Sequence, residues 1–202
     1  MPLGEKSVTP IEVLYRRARI DPNGMAFIRG REQWDFGRFA AQVERHARGM
    51  FEHGLRKGDR VVLHMKHQPE FVVAIYACFH LGAIAVPLKN RFEAVELKRL
   101  MTYLRPALYI GDATLASGLD AVDGSILPLQ MRYVVGEMGG VRAKPWASLS
   151  SDGSVPPPVS TDIHSQAVLF VKPEIGNEPS CVVHTHATLS ALFALPFMGG
   201  CE

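Results

Sequence analysis

The chain has 202 residues, 47% hydrophobic and 21% charged, an ordinary globular composition with enough apolar material for a sizeable core. Its 22 basic and 20 acidic residues leave a net charge of +2 with no basic block or stripe, which argues against nucleic acid as a primary partner. Three widely spaced cysteines (Cys78, Cys181, Cys201) form no disulfide framework, the N-terminus has no apolar signal core, and the apolar run 191–198 is far short of the roughly 20 residues that span a bilayer. A cytoplasmic protein without a transmembrane segment is expected.

Thr9-Pro10 opens a first helix, with Ile11, Leu14 and Ala18 on one face and turn chemistry at 21–24 to end it. Segments 25–28 and 33–36 read as a small hairpin. Asp35 caps a second helix, whose apolar positions Phe36, Phe39, Ala40, Val43, Ala47, Met50 and Phe51 are three and four residues apart. The run 60–65 is too apolar for a half-exposed strand and belongs in the centre of a sheet. A helix from Gln68-Pro69 to Leu81 is apolar nearly all round, so burial on most sides is expected; Cys78 within it is a small core residue. Strands at 83–88, 107–110 and 132–135 and a helix at about 93–104 follow.

Strand and helix thus alternate, which predicts an α/β fold with a mostly parallel sheet flanked by helices. An N-terminal lobe over 1–137, a Gly/Ser/Pro-rich linker over 138–162 with little pattern beyond Trp146, and a restarted β–loop–α unit over 163–202 are the expected divisions.

That last unit contains SQAVLFVKPEIGNEPSCVVHTH (165–186), which has the outline of a phosphate-binding loop: an apolar strand, a turn with Gly and Pro, a second apolar step and a helix entry. Elsewhere, His184 and His186 could share a strand face as metal ligands, but no third ligand has an obvious spacing, and helix entry is the favoured reading. His64 and His67 could face a cleft; surface or partly buried histidines are favoured. Arg91 could line a crevice beyond the strand ends, against the plainer reading of a solvated arginine before a helix.

With GLRKGDRV at 54–61, Gln68-Pro69-Glu70-Phe71, Ala74, Ala77, Gly82-Ala83, Val86-Pro87-Leu88 and Glu96-Leu97, the chain resembles the N-terminal lobe of the adenylate-forming (AMP-binding) superfamily, most like fatty-acid or aryl-acid CoA ligases. The resemblance implies a two-step reaction in which a carboxylate attacks ATP to give an acyl-adenylate and coenzyme A then displaces AMP. ATP with Mg²⁺, and coenzyme A, are the cofactors it implies. It also implies a Ser/Thr/Gly-rich loop followed by Pro-Lys-Gly and a Thr-His pair at the next helix.

Thr185-His186 matches that pair. Counting back from it, Pro179 keeps its place, Ser180 stands at the lysine and Cys181 at the glycine, while Pro173 to Asn177 replace the hydroxyl-rich run. Glu174 and Glu178 would put negative charge beside a triphosphate, a repulsion of about 1–4 kcal/mol per contact pair. Lys172, Gly176, Asn177, Ser180, Thr185 and His186 are therefore the candidate residues of a degenerate nucleotide loop, and no catalytic residue or metal site is assigned. The resemblance places the adenine, ribose, acyl and C-terminal catalytic segments downstream of the loop. The expectation is a truncated ligase unable to catalyse alone, or a non-catalytic module or half-enzyme that self-associates or pairs with a complementing chain through the apolar stretch Ala191–Met198.

Overall fold

The computed structural model describes residues 8–88, 91–153, 162–172 and 179–194, with the side chains of 192–194 excepted. Helix α1 (Pro10–Ile20) starts where the chain supplies a reciprocal cap: the Thr9 N–H donates to Glu12 Oε2 at 2.7 Å, and the Glu12 N–H donates to Thr9 Oγ1 at 3.4 Å. Strands β1 (Met25–Arg29) and β2 (Glu32–Asp35) form the hairpin, with Phe27 stacked on Trp34. Asp35 then accepts the Arg38 N–H at 2.6 Å and begins α2 (Phe36–Glu52), which buries Phe39, Val43, Ala47 and Met50 along one face.

The main sheet is built from β3 (Arg60–His64), β4 (Ile84–Leu88), β5 (Leu108–Asp112), β6 (Arg132–Val135), β7 (Lys144–Pro145), β8 (Gln166–Lys172) and β9 (Ser180–Thr185). Their spatial order is β7-β6-β5-β3-β4-β8-β9, and every neighbouring pair is parallel except β8–β9. Helix α3 (Pro69–Leu81) links β3 to β4, and α4 (Ala94–Leu104) carries the chain back past β3 to β5. The α/β fold with a mostly parallel, helix-flanked sheet is thus the observed one.

Side-chain alternation along the strands divides the core. Val61 and Leu63 of β3 face the layer containing α1, α2 and α3, whereas Val62 faces α4 and the irregular stretch between β5 and β6. That stretch winds through a 3-10 turn at Ala116–Ala121 and is fastened by Arg132, which is 1% exposed. The Arg132 guanidinium donates to the carbonyls of Leu119, Val122 and Leu127 at 2.7–3.1 Å, so one side chain ties together three acceptors, of which Leu119 O also takes the Val122 N–H.

Residues 144–153 are docked on α2. Tyr133 and Val134 of β6 pair with β7, and the turn Trp146–Leu149 buries both its terminal side chains. The Ser151 N–H donates to Arg45 O, and Arg45 also pairs with Asp152 at 3.0 Å. Gly49 lets the backbones meet, because a Cβ there would sit 1.6 Å from Leu149 O.

Helix α3 departs from its expected burial. Val73, Ala74, Ala77 and Cys78 are enclosed, but Phe71, Val72, Ile75 and Tyr76 are only half-buried. The apolar character of that second face is not used up by packing against the rest of the fold.

Candidate functional site

Strands β8 and β9 are followed by helix α5 (His186–Ala194). Lys172 closes β8 and Ser180 opens β9, and the two are direct cross-strand partners, both exposed. Gly176 and Asn177, with their neighbours from Pro173 to Glu178, lie outside the described residues. Pro179, which has no N–H to donate, is buried.

The start of α5 shows where its orphan amides go. The His186 N–H donates to Ser165 O at 3.2 Å, the Ala187 N–H to Ile163 O at 2.7 Å, and the Thr188 N–H to Thr185 Oγ1 at 3.2 Å. A helix N-terminus binds anions through such groups when they are left open. Here three successive donors are already taken by the protein. The Thr185 carbonyl also accepts from Thr188 Oγ1 at 2.9 Å, so the hydroxyl and the carbonyl of Thr185 both serve the helix start.

His186 is fully buried, its ring set edge-on against Phe79 with centroids 5.2 Å apart. Among the described residues neither ring nitrogen has a hydrogen-bond partner, and burial pushes its pKa below the usual histidine value, with Lys57 adding to the effect and Glu12 opposing it. The structure therefore keeps Lys172 and Ser180 together at one end of the hairpin, with Thr185 and His186 at the other. Among the described residues no group of three His, Cys, Asp or Glu is arranged to hold a metal ion.

A second cluster occupies the carboxyl ends of β3 and β5, where the order of the sheet reverses. His64 is fully buried, not at the surface or partly buried as expected, and its Nδ1 shares a 2.8 Å hydrogen bond with the Tyr109 hydroxyl. Asp112 accepts from the Thr114 N–H and hydroxyl at 2.8 and 2.6 Å. Burial works to raise its carboxyl pKa, but the Thr114 hydrogen bonds, with Lys66 beyond them, hold it below the usual value. Arg91 is exposed and donates to Thr114 O at 3.1 Å, while Lys66 approaches Thr114 Oγ1 at 3.4 Å. Arg91 is thus a fixed side chain at the strand-end rim, and His67 is exposed beside Phe71. The spacing of His64 from Tyr109 carried no sequence signal, because the two meet only through parallel pairing of β3 with β5.

Comparison with known proteins agrees with this architecture. The AMP-binding enzyme family profile matches residues 14–170, ending just before Lys172. The chain is 30% identical over 130 residues to the L-proline--[L-prolyl-carrier protein] ligase of Streptomyces coelicolor, covering 61% of this chain and 24% of that protein. It is 29% identical over 104 residues to the 2-succinylbenzoate--CoA ligase of Bacillus pumilus, covering 52% and 21%. The fatty acyl CoA synthetase of Mycobacterium tuberculosis superposes with a TM-score of 0.69 at 25% identity, over 88% of this chain and 34% of that one. The chain thus spans about a quarter or less of the length of the curated relatives it matches. On the strength of the fold and of the match over 14–170, the chain belongs to the AMP-binding enzyme family.

Proposed function

We propose that these residues form the N-terminal lobe of an acid–thiol ligase of the adenylate-forming type, and that their phosphate loop no longer grips a nucleotide, so that they do not catalyse adenylation by themselves. The observation that carries this reading is the closed helix entry: the first three amides of α5 are spent on Ser165, Ile163 and Thr185. ATP with Mg²⁺ and coenzyme A are the cofactors of the family. The residues present fit a triphosphate poorly. They offer one exposed cation at Lys172, a proline without a donor at 179, and, in the sequence between them, Glu174 and Glu178. No reaction step is assigned to this chain on that account.

Calorimetry with Mg-ATP tests the proposal. No saturable heat is expected up to millimolar nucleotide, and no pyrophosphate release with a panel of carboxylic acids. Micromolar binding that Lys172→Ala abolishes, or clear turnover, overturns it.

A second reading, a non-catalytic module that pairs with another chain, has its own support. Phe170, Val182 and Val183 of β8 and β9 are 44%, 59% and 42% exposed at one end of the sheet. Residues 195–198 of the apolar stretch first suggested for pairing lie outside the described residues; Leu189 before it is half-buried against the α1–α3 core, and Ala191 is exposed.

A further inference from the structure

Helix α5 is held to α1 and α3 by a small set of groups. Leu189 is half-buried against the core formed with those helices, and the Ser190 hydroxyl donates to Val8 O at 2.7 Å. The fully buried ring of His186 lies edge-on to Phe79 at the end of α3. The amides of His186, Ala187 and Thr188 bond instead to Ser165, Ile163 and Thr185, and so tie the helix start to the two strands that precede it. Loss of the Leu189, Ser190 and His186 contacts would free α5 from α1 and α3 and leave every strand pairing in place.

Of those three groups, His186 is the one whose chemistry changes near neutral pH. As a neutral ring it fills an apolar slot, with neither nitrogen hydrogen-bonded among the described residues. As an imidazolium it would bring a charge and two N–H donors into a site with no acceptor beside either nitrogen. The charged groups that act on it there are Lys57, in the turn before β3, which repels it, and Glu12 of α1, which attracts it. The Glu12 carboxylate is already engaged, because its Oε2 accepts the N–H and the hydroxyl of Thr9 at 2.7 and 2.8 Å in the cap of α1. On α3, Phe79 carries no charge, and the neighbouring His80 is turned to the Tyr15 hydroxyl. A charged His186 is therefore better served by water than by the slot.

We propose that His186 is a proton-operated latch: neutral, it holds α5 against α1 and α3; protonated, it lets α5 swing out and uncover Phe79 and Leu189 while the sheet stays folded. A released α5 frays, since it has 9 residues and isolated helices shorter than about 12–15 residues are marginal in water. Burial holds the ring's pKa below 6.5 in the closed form, whereas in the open form it titrates near about 6.5. Closure is thus complete above about pH 6.5 and weakens as pH falls towards the closed-form value, the open fraction rising about tenfold per pH unit in between.

Amide hydrogen exchange of the intact chain, read by nuclear magnetic resonance from about pH 7 to about pH 5 and corrected for intrinsic rates, tests the latch. Protection at Leu189, Ser190 and Ala191 is expected to fall about tenfold per pH unit below about pH 6.5. Val43 and Ala47 of α2, which report global unfolding, should stay better protected throughout. His186→Phe and His186→Gln cannot take up the proton, and either one, once folded, should make protection at Leu189–Ala191 independent of pH. His80→Phe should leave that pH dependence in place, and the slope in the unmodified chain stands as a test whether or not the variants fold. The proposal is overturned by protection at Leu189–Ala191 that does not change with pH or that equals that of Val43 and Ala47. A pH dependence that survives in a folded His186 variant, or that vanishes in His80→Phe, overturns it as well.

Discussion

Trp146 lies flat on His46, with ring centroids 4.0 Å apart and planes 8° from parallel. The indole joins residues 144–153 to α2 and shuts water away from the imidazole, whose Nδ1 meets Gln42 O at 2.9 Å. Burial accordingly pushes the His46 pKa from 6.5 down to about 4, Arg45 adding to this and the Gln42 hydrogen bond opposing it.

The chain should therefore lose stability in acid at a defined place. Below about pH 6.5 the unfolded chain takes up a proton at His46 that the folded chain refuses until about pH 4. Stability is full above the unfolded value and falls as pH drops through this window. His46 alone contributes a loss of about 3 kcal/mol, and the lowered values of His80 and His186 act in the same direction. Urea unfolding between pH 7 and 4 measures this. Trp146→Ala should lower stability at neutral pH by about 3 kcal/mol and flatten the acid loss by returning His46 to water.

Gly49→Ala should separate the same two elements by a different route. The new methyl would collide with Leu149 O, which is backbone and cannot swing aside. A loss of about 1–3 kcal/mol is expected, with faster proteolytic cleavage within 144–153; unchanged cleavage would show that the close approach is not what holds the segment.

Arg132→Met should cost about 3 kcal/mol or more, because it removes the guanidinium donors from the carbonyls of Val122 and Leu127 and one of two donors from that of Leu119, while keeping much of the volume. A fall in Tm of about 10 °C is the corresponding reading for a chain of this size. Arg132→Lys should rescue little, since an ammonium cannot span acceptors placed around a planar fork. A variant as stable as the parent would mean that water replaces the guanidinium.

Strand β9 closes one end of the sheet with Val182 and Val183 well exposed, and such an edge invites pairing with another chain. Val182→Lys should reduce self-association in light scattering and leave the unfolding midpoint within about 1 °C, as expected of a surface change.

Much of this architecture was visible beforehand. The three-and-four spacing of α2 and the apolar run of β3 carry their own periods, and Thr9, Asp35 and Gly82 mark helix ends through local chemistry. What the chain order hid is long-range. Arg132 reads as the first residue of a strand, and nothing nearby shows that it will be buried. Trp146 is a lone aromatic in a Gly/Ser/Pro-rich stretch, and its partner is a hundred residues earlier. Phe71, Val72 and Tyr76 look like core because they are apolar; only the placement of the hairpin leaves them beside a cavity. At the loop, residue types alone argue against phosphate, but the capture of the α5 amides by Ile163 and Ser165 depends on tertiary contacts that carry no pattern.

Arg132 also sets an order of events. The carbonyls it satisfies belong to residues 5, 10 and 13 positions earlier, which leave the ribosome first; Leu119 O can take the Val122 N–H locally, but the guanidinium donors reach Val122 O and Leu127 O only when β6 arrives. The stretch between β5 and β6 cannot take its final shape as a local unit. It waits for the sheet, so in refolding experiments its amides should gain protection together with β6.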